Sequence, residues 1–457
     1  IENASQLAYM ANEINSNADA YAGDYFELVA DIDLNGINWR PIGSNANQFQ
    51  GHFNGNDHTI NDLNITINGN NPQYVGLFGY VSNGGISNVH IIGDGTISVR
   101  GTTTSFYIGS IAGYAIGSTI DNCSNQSNFI VSLIGRTTTY STYLGGLVGY
   151  LTGNTNPPTS LSYLTNSMNE GKINFSITFE SPTSNDYYWY HYIGGVVGRT
   201  DYATIENCGN LDSLFLMNDV TTYYKTSYIY AGGITGYVYG TSTMPVNIKK
   251  NYNKGKIILN NLAKSTHSRH SAYAWGYIGG ITGYCSTGYI TISDCYNRGD
   301  LKPNAYSYSS SYSNYSYNYV AGITGYLTSS TTTITNCYNT GNVPSTYTPY
   351  GGNAGTGTIY YYHDCIGYNA STYTQTNNNY YLDTCGCTNN QTTATSLPAL
   401  TLQDPSMPTA LNQGSPGSGI WKRDIFPYIN DKYPMFNGGV YPLLVKTLPP
   451  LSVTNVS

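Results

Sequence analysis

Along residues 71–345, apolar and polar positions alternate in short runs of four to eight residues, and Asn or Gly closes each run. Such alternation predicts strands, and the closing residues predict turns. No segment of this region sustains a 3.6-residue apolar period, so no helix is expected there. One helix is predicted near the start, where Ser5 precedes Leu7, Met10, Ala11 and Ile14 at helical spacing. Ser5 is the expected N-cap. FELVADIDL at 26–34 then alternates as a strand does.

The strand pattern repeats. YIGSIAGY (107–114), YLGGLVGY (143–150), YIGGVVGR (192–199), YAGGITGY (230–237), YIGGITGY (277–284) and YVAGITGY (319–326) share one frame, and QYVGLFGY (73–80) is a weaker copy. Their closing glycines recur every 34 to 49 residues. A second motif follows six of them, as in IENCGNLDSL (205–214) and ISDCYNRGDL (292–301). It carries an unbroken column of Asn125, Asn169, Asn210, Asn253, Asn297 and Asn339. Gly171, Gly255, Gly299 and Gly341 stand two residues after the Asn in four copies.

Self-similarity at this period predicts a solenoid. Two strand–turn units per period predict two coils of about 20 residues each. Stacked coils bring equivalent residues to about 4.8 Å, so the asparagines are expected to form a hydrogen-bonded ladder. Asn also tolerates the left-handed conformation of a tight corner, and the paired glycines suit close backbone approach. The expected fold is all-β: a right-handed parallel β-helix with a short N-terminal capping helix and an irregular C-terminal segment, the hand following the rule for parallel crossovers. The expected division is 1–70 as cap and first coils, 71–345 as repeats, and 346–457 as closing coils with a terminal linker and strand. The last part gathers most of the prolines, with a pair at 449–450 before LSVTNVS. A lone terminal strand could add to a neighbour's sheet.

Composition narrows the function. Only 9% of the 457 residues are charged, and the net charge is −7. No basic stripe is available for nucleic acid or anionic lipid. No apolar run is long enough to span a membrane. The opening IENASQLAYM lacks a basic segment followed by an apolar one, so any signal peptide is expected to have been removed. Tyr alone contributes 48 residues. Many lie in insertions between repeats, such as SITFESPTSNDYYWYH (176–191) and KPNAYSYSSSYSNYSYNY (302–319), whose alternation fits long strands. Such side chains suit a binding or adhesive surface, or they simply cover the solenoid's flank. Trp189 and Trp275 are candidates for stacking on glycans.

Chemistry is sparse. The seven His include no H-E-x-x-H pair. DIDLNG at 31–36 begins like a calcium loop, but the twelfth position is Ile42. A polysaccharide lyase or hydrolase would need a carboxylate pair on one face. Asp121, Glu170, Glu206, Asp294 and Asp300 are instead scattered, and Asp186 or Asp201 could join a composite site. Glu170, Lys254, Arg298 and Thr340 share one column, read as a solvated corner. No catalytic residue, cofactor or metal is therefore expected. Cys123, Cys208, Cys295 and Cys337 share a column with Ser167 and Asn251, which points to buried thiols. Two coils per repeat would hold Cys295 and Cys337 about 9–10 Å apart, beyond disulfide reach. Cys365 is expected to pair with Cys385 or Cys387; a metal site with His363 is the alternative. Cys285 could meet Cys295 across a corner. Asn3, Asn64, Asn122, Asn125, Asn174, Asn314, Asn369 and Asn390 head glycosylation sequons, close to the chance frequency for this composition.

GLFG (76–79) and GLVG (146–149), within the repeated G-[GSA]-[LIV]-x-G-Y frame, resemble the GLUG motif of bacterial surface proteins. FELVADIDL, WRPIG (39–43) and FQGHFNGNDHTINDL (49–63) resemble the module that introduces it, departing at Asn54 and Asp57. WKRD (421–424) and YPLL (441–444) resemble its closing coil. The resemblance implies a parallel β-helix in secreted or cell-wall proteins, including adhesins and companions of IgA-specific metallopeptidase domains. The expected function is thus a structural or adhesive extracellular surface protein, with a self-assembling filament subunit as its specific form. The alternatives are a glycan-binding module and a polysaccharide-degrading enzyme. Expected partners are further copies of the chain or surface glycans, with no nucleic acid and no membrane insertion.

Overall fold

A computed structural model describes residues 1–17, 21–71, 73–102, 105–135, 139–156, 159–179, 187–221, 225–265, 271–309, 314–328, 331–352, 355–368, 374–390, 394–412, 419–425 and 428–441. Among these residues the chain winds as a parallel β-helix with five sheets. In the order the chain visits them, sheets 1 to 5 hold ten, eleven, eight, eight and seven described strands. One coil runs Asn128–Gly135 (sheet 3), Ser141–Gly145 (sheet 4), Val148–Thr152 (sheet 5), Ser162–Thr165 (sheet 1) and Met168–Asn169 (sheet 2). The chain then returns to sheet 3 with Ile173–Phe179, which pairs in parallel with its predecessor.

Each repeat is therefore one coil, not two of about 20 residues. Tyr252 pairs with Tyr296, and Tyr296 with Tyr338, so equivalent residues occupy adjacent rungs. The miscount has a physical origin. Sheet 2 strands are as short as two residues and read as turns in the sequence. The Tyr-rich insertions form long strands of sheets 3 and 4, up to the nine residues of Leu301–Ser309. Cys295 and Cys337 consequently lie one rung apart, and both remain thiols.

Burial follows the alternation. Ile120, Leu164, Ile205, Ile248, Ile292 and Ile334 form one inward column of sheet 1, each fully buried. Sheets 3 and 4 pack face to face where they extend beyond the central core. Phe175 meets His191, and Asn261 donates to the Ala274 carbonyl across the two layers. Helix α1 (Ala4–Ser16) covers the first coil and buries Leu7, Met10, Ala11 and Ile14. Its N-cap is Asn3, not Ser5: the Asn3 side chain accepts from the Gln6 amide at 3.0 Å, leaving Ser5 inside the first turn. FELVADIDL splits into Tyr25–Glu27 on sheet 1 and Ile32–Asp33 on sheet 2.

Winding continues past residue 345. Thr358–Asp364, Thr374–Asn377 and Tyr380–Leu382 add strands to sheets 4, 1 and 2. Residues 399–412, 419–425 and 428–441 then lie along the outside of sheet 2. Leu402, Met407, Leu411, Trp421 and Phe436 pack on the column of Tyr252, Tyr296 and Tyr338. Among the described residues, no helix is long and apolar enough to cross a membrane. LSVTNVS, the Pro449–Pro450 pair, most of YPLL, His267, His270 and Asp186 lie outside the described residues.

Candidate functional site

The asparagine column is a continuous chain of hydrogen bonds. Asn125 donates to Asn169 (2.9 Å), Asn169 to Asn210 (3.0 Å), and Asn210 to Asn253 (2.8 Å). Asn253 donates to Asn297 and Asn297 to Asn339, both at 2.8 Å. All six are fully buried, and each amide also donates to the carbonyl two residues on. Two glycine columns make room for them. A Cβ on Gly233 or Gly280 would stand 2.3 Å from the amide carbon of Asn253 or Asn297. A Cβ on Gly255 would meet the Asp212 carbonyl at 1.9 Å. These glycines serve the ladder rather than a phosphate. The left-handed corner belongs to a different column, three residues earlier: Asn122, Asn166, Asn207, Lys250, Asp294 and Asn336 have φ between 50° and 57°.

The outer surface of sheets 4 and 5 carries the tyrosines of the repeated frame. Tyr74, Tyr107, Tyr143, Tyr192, Tyr230, Tyr277, Tyr319 and Tyr362 stack rung upon rung, with ring centroids 4.6–5.4 Å apart. A second column, at the end of the frame, packs edge-on against the first, as Tyr237 does on Tyr192 at 5.1 Å. A third consists of Tyr190, Tyr228, Trp275, Tyr317 and Tyr360. Rings stacked at this spacing cover each other's faces and turn their edges outward. Burial, reinforced by neighbouring phenols, pushes Tyr228 and Tyr317 up to about 12, so the face is a neutral array of phenol hydroxyls.

Arg199 interrupts the second column. Its guanidinium lies 4.8–5.3 Å from the ring centres of Tyr150, Tyr192 and Tyr237, and its Nη2 is 2.8 Å from Asp201. Burial opposes its charge, but Asp201 more than offsets this and keeps it protonated. Tyr150 donates to the same carboxylate at 2.5 Å. Asp201 is thus tied to an arginine and a phenol.

The two tryptophans have different fates. Trp189 is fully buried between sheets 3 and 4, 4.5 Å from the Phe179 ring, and cannot stack on a glycan. The cause is strand parity: Trp189 lies an odd number of residues from the outward Tyr192, so it points inward. Trp275, two residues before Tyr277, points outward. Both its faces are occupied, by Tyr317 at 3.7 Å and Tyr228 at 5.7 Å.

The charged column is no solvated corner. Arg298 bonds Asn430 (3.0 Å) and Asp431 (2.6 Å), and Lys254 donates to the Ile429 carbonyl at 2.6 Å. Both clamp the C-terminal segment on sheet 2. Burial, aided by Arg298, lowers Lys254 to about 8. WKRD lies in this lateral segment, where the Trp421 indole donates to Asp294 at 3.3 Å.

Cys365 is bonded to Cys387, and Cys385 remains a buried thiol. His363 contacts Thr388. Cys285 and Cys295 are separate thiols. Burial pushes Cys123 and Cys285 up to about 12, which makes them poor nucleophiles. Asp31 accepts from the Thr59 amide and Asp33 from the Asn35 amide, so the calcium-like stretch serves strand and turn. Among the described residues, no group of three or more His, Cys, Asp or Glu could hold a metal ion.

No family model matches the chain. A protein of Evansella cellulosilytica, provisionally described as a Gly-rich membrane protein, is 38% identical over 131 residues. That stretch is 27% of this chain and 14% of the relative's length. Among solved structures, one provisionally described as an immunoglobulin A1 protease from Bacteroides ovatus aligns with a TM-score of 0.40 at 17% identity. The alignment covers 96% of this chain and 91% of that one. A structure described as IgA1 Protease aligns with a TM-score of 0.37 at 16% identity, over 74% of this chain and 21% of the other.

Proposed function

We propose that this chain is a non-enzymatic structural or adhesive module of an extracellular or cell-surface protein. The observation that carries the reading is the aromatic face: three stacked columns, rigid, neutral and edged with hydroxyls. Tyr and Trp offer large contact area with little side-chain entropy to lose. Presented at rung spacing, they suit many weak simultaneous contacts, whose strength multiplies when they are linked. The internal ladders suit the same role, because a stiff rod transmits load without unwinding. The relative described as a Gly-rich membrane protein is in keeping with a surface location.

Beads coated with the full chain test this under flow, over mucin, cellulose and plasma-protein surfaces. Retention on at least one coat is expected, falling several-fold in a Tyr228→Ser/Trp275→Ser/Tyr317→Ser variant. Retention no better than albumin-coated beads on every coat would overturn the reading. Release of reducing ends from a polysaccharide would overturn its non-enzymatic part.

A further inference from the structure

The outer face of sheet 1 near the N-terminal end differs from the ladder face. Tyr25, His52, Gly85 and Thr119 occupy successive rungs there. They border an open groove of about 650 Å³, also lined by Asn54 and Asp121. That volume lies within the usual range of ligand sites. Tyr25 stacks on His52 at 4.7 Å and 16°. Its strand is the edge of sheet 1, and Tyr25 is 82% exposed, so among the described residues no further rung covers the other side of its ring. Gly85 shapes the floor: a Cβ there would stand 2.6 Å from His52 Nδ1, so glycine lets the imidazole lie along the sheet. Asn154 closes one end by donating to Asn83 at 3.3 Å.

The polar groups have capacity left. Thr165 and Asn166 both donate to Oδ1 of Asp121, at 2.5 and 2.7 Å, which leaves Oδ2 to accept. Asn54 accepts through Oδ1 from Asn56 and Asn88, which leaves its amide to donate. Among the described residues, no Lys or Arg lines the groove, while Glu27 and Asp121 do. An acidic ligand is therefore disfavoured. A ring with one apolar face and several hydroxyls matches an open aromatic face beside a carboxylate and an amide.

We propose that this groove binds a short neutral oligosaccharide, one pyranose stacked on Tyr25 and a later pyranose of the same chain, three rungs along the sheet, donating a hydroxyl to Asp121. The proposal relies on the extracellular reading only for where such a ligand is met. Titration calorimetry of the full chain with cellohexaose, xylohexaose, mannohexaose and chitohexaose tests it. Saturable binding of at least one is expected. Tyr25→Ala should weaken it tenfold or more with unchanged circular dichroism, and Asp121→Asn should weaken it several-fold. Phe215→Ala, on the outer face of sheet 3, should leave it unchanged. Binding by none of the four would overturn the proposal, as would binding indifferent to Tyr25→Ala or equal affinity for oligogalacturonate. Because the flow assay is read on ladder-face variants, its failure is separable from failure here.

Discussion

The asparagine column and the tyrosine columns come from the same register, yet they tolerate change differently. Across its six rungs the asparagine column admits no other residue, whereas the second tyrosine column accepts Arg199 and the third accepts Trp275. Each asparagine amide is enclosed by glycines on neighbouring turns and bonds both along and across the stack. Each tyrosine is confined above and below, and most keep a partly open edge, although Tyr192, Tyr230 and Tyr277 are buried by their neighbours. A side chain confined on all sides leaves one solution, and a side chain with an open edge leaves several.

Changes inside the coil should have the largest effects. Asn253→Ala removes buried bonds to Asn210, Asn297 and Gly255, and Gly280→Ala forces a Cβ within 2.1 Å of the Gly322 carbonyl. Each should cost roughly 3–5 kcal/mol in denaturant unfolding. A cost below about 1 kcal/mol would erase the distinction between the two ladders. Next comes a buried histidine. Burial holds His191 at about 3, against an ordinary 6.5. The unfolded chain therefore binds more protons between those values, and stability should fall as pH drops below 6.5. The expected slope is about 1.4 kcal/mol per pH unit, absent in His191→Gln. Tyr277→Ala, on the outer face, should cost about 1–2 kcal/mol through lost stacking, and Tyr277→Phe less than about 0.5.

The smallest effect concerns the C-terminal segment. Lys254 has a folded value of about 8 against an ordinary 10.5. Its contribution should rise as pH climbs from about 8, because the unfolded chain then binds more protons. Solvent screening limits the gain to less than about 1 kcal/mol. Near pH 10 the buried tyrosines oppose it, since burial raises their folded values above an ordinary 10.0. Lys254→Met should remove the rise measured between pH 8 and 9.5.

Much of this architecture was legible in the residues. The parallel winding and the asparagine column follow from the repeat alone. Coil size did not, because a two-residue strand such as Tyr252–Asn253 has no alternation to display. The fate of Trp189 was available: counting parity back from Tyr192 turns it inward and Trp275 outward. The left-handed corner was also visible, as the Asn, Asp and Lys column just before the cysteines. Lys254 and Arg298 were illegible, since their partners Ile429 and Asp431 lie more than 130 residues away and in no repeat. The Tyr25 groove leaves no periodic mark, because it forms where the ladder ends.

One coil per repeat, with ladders in register, underlies all of these statements. Spin labels at Thr119→Cys and Thr333→Cys on the outer face of sheet 1 measure it directly, since the native thiols outside the disulfide are buried. Five rungs separate the two sites, so pulsed dipolar spectroscopy should give about 24 Å, widened by the label arms. A distance near 48 Å, as two coils per repeat would require, would contradict the account.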